Sequence, residues 1–159
     1  AAAAALLWIA VCTGGHVAAR AEGARLAAAR GAELRDVLPQ PLSPLRWSVV
    51  LRTDDADRCV FLDPLSPGTI VEERRFPRDA DRAAVAVADA SEPGRLVRWF
   101  HRNSHVETTA AGDGRVEVVY RDLSYEMRLP PSWGMQRNAP FVYRAVVADG
   151  RVVEHGWRE

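Results

Sequence analysis

His101-Arg102-Asn103-Ser104-His105, with Glu107 and Asp122 further along, is the constellation best suited to chemistry in these 159 residues. Two imidazoles at i and i+4 on a continuing helix share one face and could hold a metal ion, with Asp122 as a third ligand or base. The competing reading is that the helix stops between His101 and His105. A histidine at a helix C-terminus is favoured by the macrodipole alone, and Asp122 beside Arg121 then serves a structural ion pair or a strand-end turn. His16, at the end of an apolar run, is the other ionisable group whose position suggests a role. Asp54, Asp55 and Asp57 could suggest calcium, but three short acids in a turn are explained by hydrogen bonds to the turning backbone, and the ligand ladder and distal glutamate of an EF-hand loop are missing.

Other chemistries are excluded by what the chain lacks. No Gly-x-Ser-x-Gly elbow, His-Glu-x-x-His helix, dinucleotide loop or Walker loop is present. Every basic residue is arginine, so there is no lysine for a Schiff base or a phosphate loop. The 21 basic and 21 acidic side chains balance, which argues against nucleic acid as a partner. Two cysteines, Cys12 and Cys59, make neither a disulfide framework nor a four-cysteine metal site.

The elements that must position these residues follow from pattern. Trp47–Leu51 and Cys59–Leu62 flank the aspartate turn as a hairpin, and Thr69–Glu72 adds a strand after a turn over Pro64–Gly68. Asp79 is placed to cap a helix through Arg82–Ala88, and Ser91 to cap a second with Pro93 in its first turn. In the second, Leu96, Trp99 and Phe100 fall at i, i+3 and i+4, the stripe of a helix laid on a sheet, and Asn103 is expected to end it in a left-handed conformation. Val106–Thr109 pairs with Val116–Tyr120, and Phe141–Val147 with Arg151–Glu154 across Asp149-Gly150, a type I′ turn signal. The class is α+β: a mostly antiparallel sheet of hairpins, with two central helices packed on one face.

Ahead of this fold, Ala1 through Cys12 carries no charged side chain, and the softer stretch to Ala19 precedes Arg20. A spanning helix needs about 20 apolar residues, so the run is expected to be the end of a membrane helix in contact with lipid through residues 1–19. A signal-peptide core, cleaved after Ala19 or Ala21, and a buried core helix are the alternatives. Arg20, Arg25, Arg30 and Arg35 follow directly, which puts the remainder on the cytoplasmic side of the membrane. The Ala-rich segment Val17–Leu38 should continue as an exit helix. The expected organisation is an anchor and exit helix over 1–38, a proline-spaced linker over 39–44 and one soluble domain over 45–159.

In this order, the apolar helix, the arginine-bearing exit, Pro44-Leu45-Arg46-Trp47-Ser48-Val49-Val50, Arg98-Trp99-Phe100-His101 and Val116–Tyr125 ending Asp122-Leu123-Ser124-Tyr125 resemble the C-terminal part of the bacterial membrane-bound metal-dependent hydrolases, the YdjM-like family. The resemblance covers nearly the whole chain. It implies a soluble tail following several upstream membrane helices, with the metal, a divalent ion, held by a histidine-rich motif in that membrane part. That role is not carried to His101 and His105, whose spacing differs, and Ser124 stands where the family tends to have arginine. The resulting expectation is a cytoplasmic accessory domain whose catalytic membrane part lies elsewhere. The alternatives are an exported periplasmic ligand- or envelope-binding module, and a self-contained metallohydrolase using His101, His105 and Asp122.

Overall fold

Twenty-eight residues, Ala2–Ala29, form one continuous helix, α1, the first element of a computed structural model that describes residues 2–41, 43, 45–63, 66, 69–128 and 141–157. The helix stops well short of the expected Leu38. Gly31 adopts φ +60, and the amide of Ala32 reaches back to the carbonyl of Ala27 at 2.9 Å, so a left-handed glycine closes the last turn. Strand β1 (Glu33–Pro39) begins at once. The exit helix is thus corrected to a helix plus a strand at the sheet edge, in which a register shift between Leu34 and Asp36 lets Leu34 and Val37, three residues apart, both pack on the α1 core.

β1 pairs antiparallel with β2 (Trp47–Arg52), which pairs with β3 (Ala56–Leu62), and β4 (Ile70–Pro77) completes a four-stranded sheet in the order β1-β2-β3-β4. The proline-spaced segment is the turn between β1 and β2: Pro39 pairs with Trp47, and the Gln40 amide donates to the carbonyl of Arg46 at 2.8 Å. The turn expected over Pro64–Gly68 lies outside the described residues apart from Ser66. Ala19, Leu26 and Ala27 of α1 pack on Val37, Trp47, Val49, Leu51, Val60 and Leu62 to form one core.

The second compact unit takes residues 77–126 and 141–157, whereas Met127 and Arg128 belong with the first. The single domain expected over 45–159 is therefore divided, and its strands form two sheets. Helix α2 (Arg82–Ala90) is capped by Asp81, whose Oδ1 accepts from the amides of Ala83 and Ala84 at 2.9 and 3.2 Å, two residues later than the expected Asp79. Ser91 caps α3 (Glu92–Phe100) through the Gly94 amide at 3.1 Å, as its spacing from Pro93 predicts. Strands β5 (Ser104–Ala110), β6 (Val116–Asp122), β7 (Tyr143–Ala148) and β8 (Arg151–Trp157) form an antiparallel sheet in sequence order. Asp149 and Gly150 have φ 49 and 71, the pair of positive values a type I′ turn requires. The class is α+β, with α2 and α3 on one face of this sheet: Ala84, Ala88 and Val97 pack on Val118, Tyr120, Tyr143, Ala145 and Val147.

The face that α3 buries is opposite to the expected one. Leu96, Trp99 and Phe100 are 61%, 80% and 42% exposed, whereas Val97 is 2% exposed. A backbone constraint accounts for this. A Cβ on Gly94 would lie 1.9 Å from the carbonyl oxygen of Ala88, so α3 can abut the end of α2 only through its glycine side, and Val97 follows one turn later. Arg98 is held on the buried flank, with Nε and Nη2 donating to the Asp89 carboxylate at 2.9 and 2.8 Å, and that carboxylate also accepts from the Tyr120 hydroxyl at 2.7 Å. Nor does Asn103 end α3. The cap is His101 at φ −81, and Asn103 is not among the described residues with positive φ.

Candidate functional site

Helix α1 is two things in one element. From Ala19 onward, Ala19, Gly23, Leu26 and Ala27 recur at i, i+4, i+7 and i+8 and are buried on the first sheet, a helix seated by one stripe. Gly23 makes the seat close: a Cβ there would meet the Val49 side chain at 3.0 Å and Leu34 at 3.3 Å. Toward the N-terminus the stripe thins through half-buried His16, Gly15 and Cys12, and before Cys12 it is gone. Leu6, Leu7, Trp8 and Ile9 are all at least 58% exposed and point in successive directions around the axis. The most apolar 18-residue window has a mean hydropathy of 1.7 and is 6% buried. Residues 2–17 run about 24 Å at the helical rise, most of the roughly 30 Å of a bilayer's hydrocarbon. With apolar side chains on every side of this half and little of it buried among the described residues, α1 is long and apolar enough to cross a membrane by length and composition.

At the junction of the halves His16 meets Trp47 edge-on, with ring centroids 5.1 Å apart. Of the four expected flanking arginines, Arg20 and Arg25 lie exposed on the docked half of α1, Arg25 paired with Glu22 at 2.5 Å. Arg30 is 3.0 Å from Glu73, and Arg35 lies in β1, 2.9 Å from Glu33.

In the second unit, His101, His105 and Asp122 do not converge. Ser104 pairs with Asp122 and His105 with Arg121 across β5 and β6, so strand alternation sends His105 and Asp122 to opposite faces of the sheet. Asp122 is committed to the backbone: its Oδ2 accepts from the Arg102 amide at 3.0 Å, and its Oδ1 from those of Asn103 and Ser124 at 3.2 and 2.8 Å. It ties the end of α3 to the 3-10 turn at Leu123–Tyr125. Of the two readings of its place beside Arg121, the strand-end turn is the one found, and Arg121 extends toward Glu126 at 3.4 Å. His105 is fully buried, with Nε2 3.6 Å from the Glu107 carboxylate. His101 is buried among Phe100 and Trp157, at centroid distances of 5.8 and 6.0 Å. Burial holds its imidazolium below the usual histidine range and Arg98 adds to this, while Asp122 and the Phe141 backbone oppose it. Among the described residues no group of three or more His, Cys, Asp or Glu side chains is arranged to hold a metal ion.

The aspartate turn has local work for its carboxylates. Asp57 accepts from Arg52 Nε at 2.6 Å. The Thr53 hydroxyl, at 2.6 Å from Asp55, and Arg75 together hold the Asp55 carboxyl down to about 2. Cys12 and Cys59 are both free thiols.

Sequence reasoning missed the surroundings of Trp47. Arg46 and Trp47 follow the proline turn, and Arg128 lies 82 residues beyond Arg46, so the sequence offers only the adjacency of the first two as a signal. Comparison with protein-family models, with curated proteins and with solved structures finds no match to this chain.

Proposed function

We propose that this chain is the membrane-tethered accessory part of a larger bacterial membrane protein, with its folded units on the cytoplasmic side. The observation that carries the reading is the bare, all-round apolar half of α1 running without interruption into the half that is core to the first sheet. A helix shared between lipid and a soluble core fixes that core at the membrane surface with no free linker. Arg20 and Arg25, exposed on the first turns past the apolar stretch, favour the cytoplasmic orientation. The resemblance to the membrane-bound metal-dependent hydrolases suggests what the tether joins: upstream membrane helices that carry the metal and the hydrolysis.

The exported-module reading is less well supported. Cleavage after Ala19 or Ala21 would remove the buried Ala19 and the ring of His16 from the first core. Expression of the chain in a bacterium, followed by alkaline carbonate extraction and intact-mass measurement, tests the choice. Uncleaved protein in the carbonate-resistant membrane pellet is expected; a processed, soluble product overturns the tether.

A further inference from the structure

Beside the junction where α1 leaves the first sheet lies a cavity of about 100 Å³. Its apolar wall is Trp47, Phe61, Leu62 and Val71, and its polar lining is Gln40, Asp63 and two arginines, Arg46 and Arg128. Trp47 is the same side chain that touches His16, so the cavity sits one side chain away from the start of the bare apolar helix. At about 30 Å³ per water this space holds roughly three waters. It is too small for a typical small-molecule ligand and suited to a single compact polar group.

Charge decides which group. Arg46 is exposed, and while its carbonyl accepts from the Gln40 amide, its guanidinium has no hydrogen-bond or ion-pair partner among the described residues. Arg128 is fixed in place from behind: its amide donates to Gln40 Oε1 at 2.9 Å, and Gln40 Nε2 donates to the Ser48 hydroxyl at 3.0 Å. Its guanidinium lies 3.3 Å from Glu72, whose carboxylate also takes Arg74 at 2.8 Å. One acid therefore serves two arginines. Asp63, the carboxylate in the lining, is engaged within the protein. Counting Arg46, Arg74 and Arg128 against Glu72 and Asp63 leaves a surplus positive charge beside an apolar wall at the membrane level. A guanidinium suits a phosphate oxygen pair, and the indole of Trp47 suits the headgroup zone.

We infer that this cavity is a binding site for the phosphate of an anionic phospholipid headgroup, with Arg46 and Arg128 as the phosphate ligands and Trp47 and Phe61 against the glycerol end. The inference rests on the membrane-tether reading. It adds a lipid ligand that locks the first unit against the bilayer at the foot of its anchor.

The full chain in neutral detergent is titrated with dioctanoyl phosphatidylglycerol, dioctanoyl phosphatidylcholine and inorganic phosphate, and retained molecules are counted by native mass spectrometry. One phosphatidylglycerol per chain is expected, with phosphatidylcholine and phosphate each binding more weakly. Arg46→Ala and Arg128→Ala should each weaken phosphatidylglycerol binding by about fivefold, Arg46→Lys should restore part of it, and Arg95→Ala in the second unit should leave it unchanged. Thermal melts confirm that each variant is folded. Equal weakening by Arg95→Ala would show general charge attraction and overturn the site, as would phosphate binding as tightly as the lipid. Carbonate extraction separates the two ideas: a chain retained in membranes whose lipid binding ignores Arg46 and Arg128 loses the headgroup site and keeps the tether, whereas a soluble, processed chain loses both.

Discussion

The indole of Trp47, first residue of β2, and the imidazole of His16 on α1 meet edge-on at 5.1 Å between centroids. On one side of that contact α1 is core; on the other it is bare. The sheet is thereby coupled to a helix whose far half is almost unburied among the described residues, and the consequences for stability can be read at single positions.

Two glycines of α1 should respond in opposite ways to leucine. At Gly23 the added side chain meets Val49 and Leu34 at the first carbon, and overpacking of this kind costs about 1–3 kcal/mol. At Gly14 nothing lies within 4 Å, so Gly14→Leu should hold or raise the thermal midpoint of the detergent-solubilised chain, leucine being favoured over glycine in a helix interior by up to about 1 kcal/mol. A comparable loss in both variants would contradict the division of the helix.

Val97 and Trp99 should reverse the usual ranking of residue size. Val97→Ala opens space between α3 and the second sheet and should cost about 2 kcal/mol. Trp99→Ser removes a far larger but 80% exposed side chain and should stay within about 0.5 kcal/mol. Chemical denaturation followed by circular dichroism gives both values, and greater damage from Trp99→Ser would restore the stripe expected from the sequence.

Asp122→Ala leaves three backbone amides, of Arg102, Asn103 and Ser124, without their acceptor. A loss of about 2–4 kcal/mol is expected. Amide hydrogen exchange should show the loosening concentrated at 101–104 and 122–126. Unchanged protection there would refute the capping role.

Acid should weaken the second unit through His101. Its folded-state value is depressed below the ordinary 6.5, chiefly by burial, so the unfolded chain binds the extra proton first. The contribution is present above about pH 6.5 and is lost as pH falls through the folded value. His101→Gln should flatten this acid limb in melting curves taken between about pH 7.5 and about pH 5. Parallel curves for wild type and variant would exclude His101 as its source.

The hairpins were legible because their signals are local: β-rich runs at 47–51 and 59–62, and an Asp149-Gly150 pair whose backbone angles permit one kind of turn. The end of α1 was less so. Gly31 carried the stop, but the Ala-rich context argued for helix, and only the pairing of β1 with β2 makes 33–39 a strand. Helix α3 misled because periodicity shows that a stripe exists and not which side is covered; the close approach of Gly94 to Ala88, a tertiary fact, settles it. His105 and Asp122 read as neighbours in sequence pattern, yet a one-residue offset in register puts them on opposite sheet faces. Arg46 and Arg128 share a cavity through folding alone, which no spacing could reveal.

The central claim is that the leading half of α1 lies in lipid. A nitroxide attached in a Leu7→Cys, Cys12→Ser background, with Cys59 buried, reports this in vesicles by its collision rates with oxygen and with a water-soluble nickel chelate. High oxygen and low nickel collision is the predicted result. A label as open to nickel as one on the exposed Asp113 turn would contradict the account.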